Sequence, residues 1–332
     1  MSKLKKILKW NAFPSFALLV ISLIVNAVLT GGLTGSFVKS YFLTNTPAII
    51  LAIGVGATII IGGTDISLGA IVSLVNVSIV SLSGLGYSLP MVILFGLLIS
   101  LVCGMINGLV IGKLRVNALL ATFATSTIFG GIALWILPFP GGSLPVEFSR
   151  LYSYFIFGII PVPLIILLVI LLFWYGLMQT PFGIKVYAIG DNVEKSYASG
   201  IDVAKSKFLI HTFAGLLAGI AGLCLSANIS AGSPRIGDTM SMNSIAAAVI
   251  GGISLSGGYG NMIGAVFGAS FLSLITSIVV SANVGSFVQS FVQGLIMLLG
   301  VLLSVMGSNR NSSFFKSKKR MKTNEKGVIN GN

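Results

Sequence analysis

QTPFGIKVYAIGDNVEKSYASGIDVAKSK, residues 179–207, is the one long hydrophilic stretch in the body of the chain. From Pro14 to about Met306 the rest is apolar segments with brief polar gaps. The stretch holds three of the seven acidic residues (Asp191, Glu194, Asp202) and four of the twenty basic ones. Its surroundings decide the fold class. The chain of 332 residues is 55% hydrophobic and 8% charged, with a mean hydropathy of +1.03. A soluble domain carries about 25% charged residues, so a water-facing globule is excluded. Runs of about 20 apolar residues cross a bilayer core as helices. The alternating segments of about ten residues that a membrane barrel needs are absent. The expected fold is an all-α, polytopic integral membrane protein.

Working outward, apolar runs fall at 13–33, 42–62, 66–84, 89–111, 117–138 and 159–178 before the polar stretch. They resume at 207–228, 243–257, 261–281 and 285–306, which gives about ten spans. Pro47 and Pro90 are read at span starts, where a missing N–H costs little. An even count puts both termini on one side. Seventeen of the twenty basic residues then share that side, with Lys39, Arg150 and Arg235 opposite. That bias makes the shared side cytoplasmic. It also accounts for the net charge of +13 without nucleic acid. Residues 1–12 form a basic cytoplasmic lead, 13–306 one transmembrane domain, and 307–332 a basic tail near anionic lipid. The first run is longer than a signal-peptide core and has no clear A-x-A site, so it is read as an uncleaved span. The gap at 139–158, broken by Pro and Gly, is read as an external loop or re-entrant turn. Cys103 and Cys224 lie in apolar runs, without metal-ligand spacing, and are read as packing residues.

Catalytic motifs are missing. Gly108–Lys113 has the wrong spacing for a phosphate loop, and no strand-to-helix turn hosts a nucleophile elbow. No metal site is expected. His211, the only histidine, is read as an interfacial residue at the start of a span. Asp65, in IGGTDISLG, has two readings: a cap for the helix beginning near Ile66, or part of a proton or ion path. Asn76, Asn107, Asn228, Asn243 and Gln293 are the polar residues inside spans. They are candidates for a translocation path and equally candidates for bonding helices together. IGGISLSG at 250–257 echoes IGGTDISLG at 61–69, which reads either as two related halves of a transporter or as chance similarity in short Gly- and Ser-rich sequence.

Within the polar stretch, Asp191 and Glu194 have capping-box spacing. Val193, Tyr197 and Ile201 recur every four residues as one apolar stripe. Gly200 suits the end of the helix, and Asp202 can cap the next one. The stretch therefore contains a short amphipathic helix, which either docks into a partner's groove or lies in the headgroup layer.

IGGTDISLGAIVSL (61–74), INGLVIGKLRV (106–116), FGIKVYAIGDNVEKSYASGIDVAKSKFLIHTFAGLLAGIAGL (182–223) and IAAAVIGGISLSGGYGNMIGAVFGA (245–269) together resemble one family. The chain is similar to membrane-spanning permease subunits of sugar-type ABC importers, such as ribose, xylose and galactoside permeases. The resemblance implies that Glu194, Tyr197, Ala198, Ser199, Gly200 and Ile201 belong to the coupling helix that contacts a separate ATPase subunit. That partner would bind ATP and magnesium, and this chain would have no cofactor or ATPase site of its own. A second permease chain, an extracytoplasmic binding protein and the bacterial-type inner membrane complete the implied assembly. Lys195-Ser196, Asn117-Ala118 and Met240–Asn243 depart from the family pattern of two alanines, Pro-Pro and an acidic pair. The implied cargo is a neutral monosaccharide; nucleosides, a sugar-like signal molecule and branched-chain amino acids are the alternatives. In another class, a proton-coupled carrier would work through Asp65, and a membrane scaffold would work through the basic tail.

Overall fold

The computed structural model describes residues 12–30, 32, 34–281 and isolated positions between 288 and 302. The basic lead, the tail, Gln293 and most of the last expected span lie outside the described residues. Apart from a hairpin of two two-residue strands, the described elements are helices. In order they are α1 (Phe13–Thr30), α2 (Gly35–Ile60), α3 (Leu68–Gly84), α4 (Leu89–Gly112), α5 (Ala118–Ile136), α6 (Val146–Tyr152) and the hairpin β1 (Phe155–Ile156) and β2 (Ile160–Pro161). α7 (Val162–Met178), α8 (Pro181–Asp191), α9 (Val193–Ala198), α10 (Val203–Ile229), α11 (Met240–Ile250) and α12 (Met262–Ser281) follow. Among the described residues, five helices are long and apolar enough to cross a membrane, and α7 with α8 makes a sixth span if that pair, bent by 83°, counts as one. α1, α3 and α11 are shorter apolar helices.

The core lies around α2, whose residues are almost all buried from Thr46 to Ile60. This helix starts earlier than its apolar run suggests, so Pro47 sits inside it rather than at its start. Proline has no N–H to give the carbonyl four residues back. Leu43, which carries that carbonyl, instead accepts the Tyr152 hydroxyl at 3.0 Å. The lost helix bond is thereby replaced from α6, as buried backbone in a membrane requires. α6 and the hairpin fold the region read as a loop or re-entrant turn, and Gly141 pairs with Gly232 across it.

α4 and α10 are in close contact because α4 carries Gly104, Gly108 and Gly112 at four-residue spacing. A Cβ on Gly104 would lie 2.8 Å from the His211 carbonyl, and one on Gly108 would lie 2.7 Å from that of Phe208. Only hydrogen atoms fit there, and the backbones touch.

The echoed IGG strings both end helices. Gly62 donates to the Ile59 carbonyl and Gly63 to that of Thr58; Gly252 donates to Val249 and Ile253 to Ala248. Gly62 and Gly252 take φ of 84° and 87°, the left-handed turn that closes a helix C-terminus. The equivalence is one residue out of step with the strings, because Ile61 and Gly251 occupy the same C-cap position. Each turn leads into another apolar helix, α3 or α12.

Candidate functional site

Most of the candidate residues fall in two places, the α8–α10 limb and a buried polar cluster around Asp65. Thr180 caps α8 by accepting the Phe182 N–H at 3.3 Å, with Pro181 next to it in the first turn. α8 runs on through Asp191, which corrects the expected capping box. A residue held in helical geometry cannot take the extended backbone that an N-cap needs. Asn192 takes it instead (φ −159°, ψ 109°), and its Oδ1 accepts the Lys195 N–H at 2.8 Å.

α9 is only six residues, about 9 Å long. It closes where expected: Gly200, at φ 77°, donates to the Tyr197 carbonyl and Ile201 to that of Ser196. Asp202 then caps α10 by accepting the Lys205 N–H at 2.9 Å. Ser196 is buried beneath the helix, while Glu194, Ala198, Ser199 and Gly200 are exposed and Ile201 is half-buried. The stripe residues Val193 and Tyr197 are 42% and 66% exposed. Arg115, from the α4–α5 turn, sets its guanidinium carbon 5.8 Å from the Tyr197 ring centroid. This cation–π contact joins two basic loops at one end of the molecule.

Asp65 lies in the unwound segment between α2 and α3, and it is fully buried with Ser67, Asn107, Thr122 and His211. One carboxylate oxygen accepts the Ser67 N–H at 3.0 Å and the Ser67 hydroxyl at 2.6 Å. The other faces His211 Nδ1 at 3.0 Å and accepts from Asn107 Nδ2 at 3.4 Å. Ser67 rather than Asp65 is the N-cap residue of α3, which begins at Leu68. Around the same segment, Thr122 on α5 accepts the Ile66 N–H, and the Ser241 hydroxyl on α11 donates to the Ile66 carbonyl at 2.6 Å. Four helices (α4, α5, α10 and α11) thus hold three consecutive residues, Asp65 to Ser67. Neither Asn107 Oδ1 nor His211 Nε2 finds a partner among the described residues.

His211 is therefore not interfacial, a second correction. A buried acid needs a compensating group, and the chain has one imidazole. That pairing rule was the signal that could have found it.

The path candidates scatter. Asn76 donates both amide protons, to Ser226 Oγ at 2.7 Å and the Ala231 carbonyl at 3.0 Å, and accepts the Ser233 N–H at 2.7 Å. It ties α3 and α10 to the loop after α10 and has no amide proton left for a solute. Asn107 belongs to the Asp65 cluster. Asn228 is exposed at the far end of α10, and Asn243 is half-buried on α11. No group of three or more metal-ligating side chains occurs among the described residues.

The family model described as the permease component of a branched-chain amino acid transport system matches residues 37–301. The chain belongs to this permease family. The match takes in the Asp65 cluster and the whole α8–α10 limb. The permease is 34% identical over 223 residues to the ribose import permease protein of Bacillus subtilis (strain 168), covering 65% of this chain and 68% of that protein. It is 32% identical over 268 residues to the autoinducer 2 import system permease protein of Enterobacter sp. (strain 638), covering 79% and 77%. The ribose import permease protein of Haemophilus influenzae is 33% identical over 225 residues, covering 65% of the permease and 69% of its relative. No solved structure matches the permease.

Proposed function

We propose that this permease is the membrane subunit of an ATP-driven ABC importer for a small neutral solute of the monosaccharide class. The observation that carries the reading is the similarity to ribose and autoinducer 2 import permeases over two thirds or so of the chain. Both cargoes, as those names give them, are small, and a neutral solute suits a chain whose one buried acid among the described residues is already paired with His211. The chain crosses the inner membrane about ten times with both termini in the cytoplasm, in keeping with its charge distribution. A second permease chain completes the path, and a binding protein delivers solute from outside. Glu194, Tyr197, Ala198, Ser199, Gly200 and Ile201 on and after α9 meet the ATPase. The exposed stripe and the Arg115–Tyr197 contact support that assignment. The relatives do not favour a proton-coupled carrier.

The test co-expresses the permease with its ATPase and binding protein and follows uptake in whole cells. Mutating the ATPase phosphate-loop lysine should abolish uptake, and a protonophore should leave initial uptake intact. Uptake that survives the lysine mutation but collapses with the protonophore would overturn the reading.

A further inference from the structure

Three backbone segments meet where α8 ends. Gly62 closes α2, Gly257 and Gly258 lie in the connection from α11 to α12, and Gly190 is the last residue but one of α8. Gly258 donates to the Ile60 carbonyl at 2.9 Å, which ties the two connections directly. Gly190 sits against that bond. A Cβ there would run into the Ile60 oxygen and the Gly258 nitrogen, and would lie 3.0 Å from the Gly258 Cα. From the other side, a Cβ on Gly257 would come within 2.8 Å of the Gly190 carbonyl and 2.9 Å of the Gly62 Cα. One turn earlier on α8, the Tyr187 hydroxyl donates to the Gly260 carbonyl at 2.9 Å. These contacts join both members of the repeated helix–turn–helix unit, each at its break, to one residue. α9 begins three residues later, at Val193.

We infer that Gly190 is a positioning residue for coupling: it seats the base of α9 on both broken spans at once, so that a displacement of α9 moves the two breaks together. The inference rests on the reading of α9 as the ATPase contact. Backbone-to-backbone packing has no flexible side chain to absorb a shift, so a rigid displacement at Gly190 reaches both turns. On the first of them it arrives within five residues of Asp65, where Asn107 and His211 hold the chain.

The experiment is independent of the cargo. Thr64→Cys reports on the first break and Ser256→Cys on the second, each in the permease purified with its ATPase. Both native cysteines are buried. Maleimide labelling is compared with and without ATP-vanadate trapping of the ATPase. In the otherwise unaltered permease, trapping should change the labelling rate at both sites. Gly190→Ala should retain the ATPase in normal amounts and trap normally, yet lose the response at both sites, because the added Cβ has only backbone to displace. Gly176→Ala, whose Cβ meets nothing within 4 Å, should respond like the parent.

Should Gly190→Ala fail to accumulate, Tyr187→Phe carries the test. It removes one hydrogen bond to the second connection alone, and should cut the response at Ser256→Cys by about threefold while sparing Thr64→Cys. A purely structural role lowers yield and leaves the response of the surviving protein unchanged. A parental response in Gly190→Ala, no response at either site in the parent, or equal effects of Tyr187→Phe at both sites would overturn the inference. If instead the unaltered permease does not hold its ATPase at all, the coupling reading of α9 is what has failed.

Discussion

At the scale of single residues, the Asp65–His211 pair is the feature with the largest energetic leverage. Both side chains are fully buried and 3.0 Å apart, so neither is solvated by bulk water. Removing one partner of such a pair leaves an uncompensated polar group, at a typical cost of about 3 kcal/mol. His211→Leu should therefore lower the melting temperature of the detergent-purified permease. Adding Asp65→Asn should recover most of the loss, because an amide at that position is neutral and still accepts the Ser67 N–H. A double mutant as unstable as the sum of its two singles would show that the pair does not hold the unwound segment. The same residues show what a sequence hides. Asp65 stood out as the only acid near span depth, but its partner lies 146 positions away. Periodicity does not report such pairings; only the rule that a buried charge needs a companion could have joined the two.

At the scale of elements, the polar stretch was legible where local chemistry decides and illegible where packing does. Gly200 and Asp202 act as read, because a left-handed C-terminal residue and an N-cap carboxylate need only their own neighbours. α9 starts one residue later than the capping-box spacing predicts, because α8 packs its Gly190 end against the turns after α2 and α11 and so stays helical through Asp191. Nothing within 179–207 records that contact. Pro47 is a similar case: its tolerance inside α2 depends on Tyr152, far along the chain. Gly200→Pro tests the element. Proline fixes φ near −65° and has no N–H, whereas Gly200 uses φ 77° and donates to Tyr197. The variant should unravel the end of α9 while leaving the spans in place. Expected are normal membrane levels with uptake reduced at least about tenfold, since backbone strain and a lost bond together exceed 1.4 kcal/mol. Normal uptake with the ATPase still bound would remove α9 from the coupling surface.

At the scale of the whole molecule, contacts between loops group them into two ends, and the charge distribution predicts which end faces the cytoplasm. The basic loops carrying Arg115 and the α9 region meet through the Arg115–Tyr197 contact, and Ala118 at the start of α5 faces Gly63 close by. At the opposite end of α10, Leu144 donates to the Ser230 carbonyl and Gly141 pairs with Gly232, in the region that also carries Arg150 and Arg235. The charge distribution predicts that the first end is cytoplasmic, and the loop pairs joined by these contacts each fall on one expected side. Cysteine labelling in intact cells checks the assignment, with background kept low by the burial of Cys103 and Cys224. Phe157→Cys, at the exposed hairpin tip, should react with a membrane-impermeant maleimide added outside. Lys195→Cys, on exposed α9, should react only after permeabilisation. Because α10 links the two ends through one apolar helix of 27 residues, long enough to cross the bilayer, labelling of both cysteines from the same side would contradict the span itself. Labelling with the sides reversed would keep the span and overturn the orientation, and with it a cytoplasmic ATPase on α9.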